Sequence, residues 1–184
     1  LGVNSPWSYQ FAWAKGNKIG LIGCSDNHTG HPGLNNYSPD CVHSGGLTAI
    51  LSSKNNRNHL WDGLYNRNTY ATTGTRIYLD FQSDGNLMGT EYICSSLPNI
   101  FVRAGGTNII DKIDIIKFDY QDFKIIYSNT PESDTITFNF VDSSYQDSAM
   151  YYIKIKQIDE SWKGPWSHNK AEMAWSSPIW IKSK

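Results

Sequence analysis

The stretch Thr69-Tyr-Ala-Thr-Thr-Gly-Thr-Arg-Ile-Tyr-Leu-Asp-Phe81 decides how the chain is read, because the pattern of the sequence changes inside it. Its first part, Thr69 to Thr73, is β-branched and aromatic and is closed by Gly74. In its second part Ile77, Leu79 and Phe81 alternate with Arg76, Tyr78 and Asp80. That period of two belongs to a strand with one buried and one wet face. The change predicts different architectures on the two sides of residue 75.

Upstream, residues 6–15 read as a short helix, with Ser5 as its cap, Pro6 in its first turn and Gly16-Asn17 as its stop. Lys18 to Gly23 reads as a strand, and 24–46 as a long polar loop of the kind that often carries function. Leu47 to Leu51 is a second apolar run. In Asn56 to Asn68, Leu60, Trp61, Leu64 and Tyr65 are spaced for one helical face. Strands alternating with helices predict an α/β layer with parallel strands. Downstream, Ile113 and Ile115, then Ile136, Phe138 and Phe140, then Tyr151, Ile153 and Ile155 repeat the two-residue period. Asp84-Gly85-Asn86, Gly105-Gly106, Asn129-Thr130-Pro131 and Asp142-Ser-Ser punctuate them. These are the signals of an antiparallel β-sandwich. Residues 1–75 therefore read as the end of an α/β domain and 76–184 as an all-β sandwich.

The bulk numbers agree with a folded chain. Of 184 residues, 39% are hydrophobic and 14% aromatic, which suffices for a core. A net charge of −1 offers no attraction for nucleic acid or an anionic membrane. No apolar run is long enough to span a bilayer. The first residue is Leu1, which predicts a processed or excised portion of something longer. Three cysteines, Cys24, Cys41 and Cys94, do not make a complete disulfide framework. Cys24 reads as a small buried packing residue.

The chemistry concentrates in Gly20-Leu-Ile-Gly-Cys-Ser-Asp-Asn-His-Thr-Gly-His-Pro-Gly33. An apolar run ends there in small and polar residues carrying Asp26 and His28. A carboxylate and an imidazole two apart, just past a strand, can turn toward one point and ligate Zn²⁺, Mn²⁺ or Fe. The plainer alternative is that Asp26 caps a loop beside an ordinary polar histidine.

Four strings in order carry a family likeness: Gly-Cys-Ser-Asp-Asn-His-Thr-Gly (23–30), Gly-Gly-Leu-Thr-Ala-Ile (45–50), Arg-Asn-Thr-Tyr-Ala-Thr-Thr-Gly-Thr-Arg-Ile (67–77) and Ala-Trp-Ser-Ser-Pro-Ile-Trp-Ile (174–181). The chain resembles the C-terminal part of the domain-of-unknown-function family 3604, related to the PHP (polymerase and histidinol phosphatase) metal-dependent hydrolases. The resemblance implies a distorted TIM-like barrel with two or three metals at the C-terminal ends of its strands. Asp26 and His28 match the last metal-binding motif of such barrels. The first motif, His-x-His, and the middle motifs are absent, so the chain would hold only the end of the barrel. A C-terminal β-sandwich and a periplasmic or secreted parent are also implied.

The expected function is therefore that of the C-terminal portion of a metal-dependent hydrolase. It would cleave a phosphoester or another ester or amide with metal-activated water, and would be inactive as an isolated chain. Asp26 and His28 are the candidate catalytic and metal-binding residues. Arg76, His31 and His43 are candidates for substrate binding. For Arg76 a bidentate clamp on an anion and an ion pair at the junction of the two parts weigh equally. His59 and His168 read as surface residues. The expected partners are a small-molecule substrate and the upstream barrel segment of the same protein, with self-association possible through open strand edges. The alternative is a non-catalytic sandwich that binds carbohydrate or protein, or one that merely caps the barrel. Trp175, Trp180 and Tyr151 read as sandwich core and not as a sugar platform.

Overall fold

The computed structural model describes residues 5–6, 8–25, 45–158 and 172–184. In chain order its elements are α1 (Tyr9–Ala14), β1 (Leu47–Ile50), α2 (Arg57–Tyr65), β2 (Thr69–Thr72), β3 (Tyr78–Ser83), β4 (Asn86–Leu87), β5 (Glu91–Cys94), β6 (Asn99–Gly105), β7 (Ile110–Phe118), β8 (Phe123–Asn129), β9 (Thr135–Val141), β10 (Ser148–Gln157), β11 (Glu172–Ser176) and β12 (Ile179–Ser183). Among the described residues the strands form an eight-stranded and a four-stranded sheet. Their pairings are antiparallel except that of β5 with β12.

The antiparallel, two-sheet reading of the second half holds. Leu79, Phe81, Ile100, Val102 and Ala104 of the smaller sheet (β4-β3-β6-β9) pack against Ile113, Ile115, Tyr151, Ile153, Ile155, Ile179 and Ile181 of the larger one. Asp84 and Gly85, at φ 48° and 78°, make the two-residue turn from β3 to β4. Positive φ at both positions matches the turn's twist to that of its strands.

β10 is the spine of the larger sheet. β7 pairs with one of its edges. Its other edge is shared, with β12 along Ser148–Tyr151 and β11 along Lys154–Gln157. Where β11 and β12 part, the Ile153 amide donates to Ser176 Oγ at 2.9 Å, so the gap leaves no orphan donor.

The expectation of one wet face fails for β7 and β10. Ile116, Phe118, Met150, Tyr152 and Trp180 form a second apolar layer on the far face, covered by Trp13 of α1 and by Leu21. Trp13 packs on Tyr152 at 5.2 Å between ring centroids, and Gln10 Nε2 donates to the Tyr152 hydroxyl at 2.8 Å. Residues 8–25 thus lie on the sandwich as a third layer.

The expected α/β layer with parallel strands is corrected. β1 and β2 pair antiparallel, and β2 then pairs antiparallel with β11, so the larger sheet runs continuously across residue 75. No α/β barrel fragment is seen among the described residues. The reason lies in α2, which is an insertion in a hairpin and not a crossover. Asn56 caps its start, accepting from the His59 amide at 3.1 Å. Its end is a Schellman turn, with Arg67 N donating to Leu64 O and Asn68 N to Gly63 O. The chain reverses there, and Leu51 N donates to Asn68 O at 2.8 Å, closing the hairpin. Arg67 takes the left-handed position at φ 61° that glycine usually fills. It offsets a strain of roughly 1–2 kcal/mol with its side chain, whose Nε donates to Gly89 O at 3.0 Å while the guanidinium lies over Trp180.

Candidate functional site

Asp26, His28, His31 and His43 lie outside the described residues, as do Cys41 and His168. The structure does describe the residues on either side of 26–44, the segment that carries the first four. Residues 18–25 belong to no strand, in contrast to the strand expected over Lys18 to Gly23. Side-chain hydroxyls hold them instead. Leu21 N donates to Ser177 Oγ at 2.8 Å, and Thr69 Oγ1 donates to Leu21 O at 2.8 Å. Thr69 has spent its one proton on Leu21, so in the 3.1 Å contact between the two hydroxyls Ser177 is the donor. Two residues on, Thr48 Oγ1 accepts from Gly23 N at 3.0 Å and donates to Gly23 O at 2.7 Å.

Glycine lets this segment sit so close. A Cβ on Gly23 would stand 2.5 Å from Leu47 O, and one on Gly45 would stand 2.6 Å from Ser25 Cα. Gly46 N donates to Cys24 O at 3.0 Å. Ser25, just before residues 26–44, and Gly45, just after them, therefore touch at the rim where β2 ends. Asp26 is the next residue after that fixed point.

Arg76 is exposed and makes no ion pair with a described residue. The ion-pair alternative for it thus finds no partner among them. Cys24 is exposed, which corrects its reading as a buried packing residue; Cys94 is the buried thiol. Tyr151 and Trp180 are core, and Trp175 is partly buried against the outer layer. No three His, Cys, Asp or Glu side chains among the described residues are grouped to hold a metal ion.

Sequence reasoning missed the clamp, although Ser177 stands in the Trp-Ser-Ser-Pro string and Thr69 in the Tyr-Ala-Thr-Thr-Gly string. Their joint purpose shows only when 48, 69 and 177 meet. Ser177→Ala is expected to cost about 1–3 kcal/mol, because it strands the buried Leu21 amide and removes the hydroxyl that donates to Thr69. Urea denaturation checks the magnitude. A loss below about 0.5 kcal/mol would put the clamp down to coincidence of packing.

A second polar cluster lies at the other end of the sandwich. Lys117 Nζ sits 2.7 Å from Asp142 Oδ2 and donates to Ser144 O and Oγ at 3.0 and 3.1 Å. The Tyr151 hydroxyl also donates to Asp142 Oδ2, at 2.7 Å. Ser144 N and Oγ donate to Asp142 Oδ1 at 2.9 and 2.6 Å. Burial pushes the Asp142 carboxyl up, but the hydrogen bonds from Lys117, Ser144 and Tyr151 outweigh it and hold the carboxyl below its ordinary value. The Tyr151 phenol is pushed far up by burial and by that carboxylate. A cavity of about 650 Å³ borders Lys117 and Ser144. Ser144 already donates to Asp142 and accepts from Lys117, whose three protons are all placed. The cluster is therefore a structural lock and not an activated nucleophile.

Residues 34–96 match the model of a family described as a protein of unknown function, DUF3604. An uncharacterized protein of Chlamydia pneumoniae is 30% identical over 162 residues, covering 78% of this chain and 24% of its own length. One of Chlamydia trachomatis is 30% identical over 173 residues, covering 84% and 24%. One of Chlamydia muridarum is 29% identical over 163 residues, covering 79% and 23%. The chain spans about a quarter of the length of the curated relatives it matches. No solved structure matches it. The family match and the relatives support the DUF3604 family.

Proposed function

We propose, with kinship to DUF3604 as the premise, that this chain is the C-terminal portion of a metal-dependent hydrolase of the PHP type, acting on a phosphoester or another ester or amide. The observation that carries the reading is the clamped entry to Asp26. Three hydroxyls and two glycine contacts fix residues 20–25 and 45–46 against the sheet, which is more constraint than a plain connecting loop requires. Rigid delivery of this kind suits a ligand that must be held to within a fraction of an ångström.

The donor chemistry of Asp26 and His28 fits Zn²⁺, Mn²⁺ or Fe, but supplies two ligands only, so the remaining ligands belong to the rest of a longer protein. When bound, the cation supplies Lewis-acid polarisation and acidifies water. In this proposal Asp26 and His28 hold the ion, and Asp26 also accepts the proton released by water. Arg76, exposed and uncommitted to any described partner, is available to an anionic substrate, with His31 and His43 in the segment of sequence that follows Asp26. The proposed setting, periplasmic or secreted, rests on the family resemblance.

The test is calorimetric titration of Zn²⁺ or Mn²⁺ into the longer protein and into its Asp26→Ala variant. The expected result is a loss of affinity of about 100-fold or more, beyond the 10–100-fold typical of groups that only orient a ligand. Residues 1–184 alone are expected to bind weakly or not at all. Unchanged affinity after replacing both Asp26 and His28 would end the hydrolase reading.

A further inference from the structure

We propose that the outward face of α2, made by Trp61, Leu64 and Tyr65, is the surface on which another part of the same longer polypeptide docks. The inference rests on the reading above that this chain is a portion of such a protein; it does not depend on the reaction. Only Gly63 of the nine residues of α2 is buried, where the helix presses on β1: a Cβ there would stand 2.6 Å from Ile50 Cγ2 and 3.0 Å from Leu51 O. The larger side chains point away. Trp61 is 64% exposed, Tyr65 75% and Leu64 42%. Trp61 and Tyr65 are one turn apart and so stand side by side on the helix. The helical spacing predicted Leu60, Trp61, Leu64 and Tyr65 on one face; Leu60 is half-buried, whereas the other three are turned outward.

A helix this short is marginal in water without an apolar face to bury. Asn56 and the Schellman turn close its ends, and what is missing is a cover for its side. Other described apolar residues are exposed too, among them Ile125, Val141 and the backbone-bonded pair Ile109 and Ile158, which is ordinary for a protein surface. The segment 18–25, bonded to Thr48 of β1, also turns Ile19 and Ile22 outward, at 40% and 55% exposure.

The size of the patch argues for a tethered occupant over a second copy. Two aromatic side chains and a leucine at these exposures present roughly 300–400 Å². A stable interface between separate chains needs about 800 Å² from each partner. A partner on the same polypeptide arrives at an effective concentration near millimolar, where a small patch suffices. The relatives provide such a partner, since about three quarters of their length lies outside the match. The family match at 34–96 includes α2.

Hydroxyl-radical footprinting read by mass spectrometry tests the proposal on the longer protein and on this chain. Oxidation of Trp61 and Tyr65 is expected to be about fivefold or more slower in the longer protein, as burial in an interface core requires. Tyr78, 43% exposed on the smaller sheet, serves as the unchanged reference. In the longer protein, the double variant Trp61→Gln, Tyr65→Gln, which adds no trypsin site, is expected to open the junction to limited trypsin digestion while the β circular-dichroism signal persists. Equal oxidation rates in both proteins overturn the proposal. So does protection that depends on protein concentration and accompanies dimers in sedimentation, which would assign the face to a second copy. Protection without any cation binding would sink the hydrolase reading and leave this surface standing.

Discussion

Lys117→Met is expected to lower the unfolding free energy by about 3–5 kcal/mol, the usual loss when one partner of a buried ion pair is removed. The Lys117 and Asp142 side chains are only 8% and 2% exposed. Without Lys117 the carboxylate keeps its Tyr151 and Ser144 donors but loses its countercharge, and Ser144 O loses a donor. Urea denaturation followed by tryptophan fluorescence measures the change. Lys117→Met combined with Asp142→Asn removes both charges and is expected to recover part of the loss. A single-variant loss below about 1 kcal/mol would mean that water reaches the pair and that the lock is open. The same pair sets the acid limb. Asp142 titrates lower when folded than when unfolded, despite the upward push of its burial. In the window between those two values the unfolded state binds more protons. The contribution is therefore complete above about pH 4 and is lost as pH falls toward the folded value. Asp142→Asn is expected to flatten that limb.

The sandwich was legible because its strands obey a strict period. Ile77, Leu79 and Phe81 face inward, as alternation with polar residues requires, and Ile136, Phe138 and Phe140 do the same on β9. The turn signals at Asp84-Gly85 and Asp142-Ser-Ser fall between the strands they were expected to join. The outer layer was not legible. Met150 and Tyr152 lie between inward residues on β10, and nothing local says that Trp13, more than a hundred residues away, will cover them. Asp114 misled for the same reason. It sits on a face that alternation assigns to solvent, yet it is 4% exposed, takes a hydrogen bond from Ser128 at 2.7 Å and pairs with Lys112.

The parallel reading of β1 and β2 failed over one turn of chain. A helix between two strands suggests a crossover, and the contrary signal was Arg67-Asn68, where a helix reverses without the glycine that usually marks such a turn. In sequence, residues 18–23 read as a strand, and they join no ladder. Their partners, the hydroxyls of Thr48, Thr69 and Ser177, are ordinary strand and loop residues until folding brings them together. For the candidate site, the sequence pointed to Asp26 and His28. The fold adds the clamp that ends immediately before them.

That clamp makes Gly23 a sensitive position. Gly23→Ala is expected to cost about 3 kcal/mol, from overpacking against backbone together with lost hydrogen bonds. The new Cβ would stand 2.5 Å from Leu47 O and 3.0 Å from Leu47 C and N. A side chain could rotate away, but β1 is hydrogen-bonded to β2 along its length and cannot yield. Residues 20–25 must lift instead, which breaks both bonds between Gly23 and Thr48 and pulls on Leu21 and Cys24. For a chain of this size the midpoint of thermal unfolding should fall by about 6–12 °C. Gly105→Ala is the matched control. Its Cβ would meet Thr135 Cγ2 and Tyr78 Cβ at an ordinary 3.9 Å, so a shift near zero is expected. If Gly23→Ala melts within about 2 °C of the parent chain, residues 20–25 are not held as the hydroxyl contacts imply. In the longer protein the same variant moves the residue three places before Asp26. Its cation affinity should therefore fall even though no proposed ligand has been replaced, while that of Gly105→Ala should not.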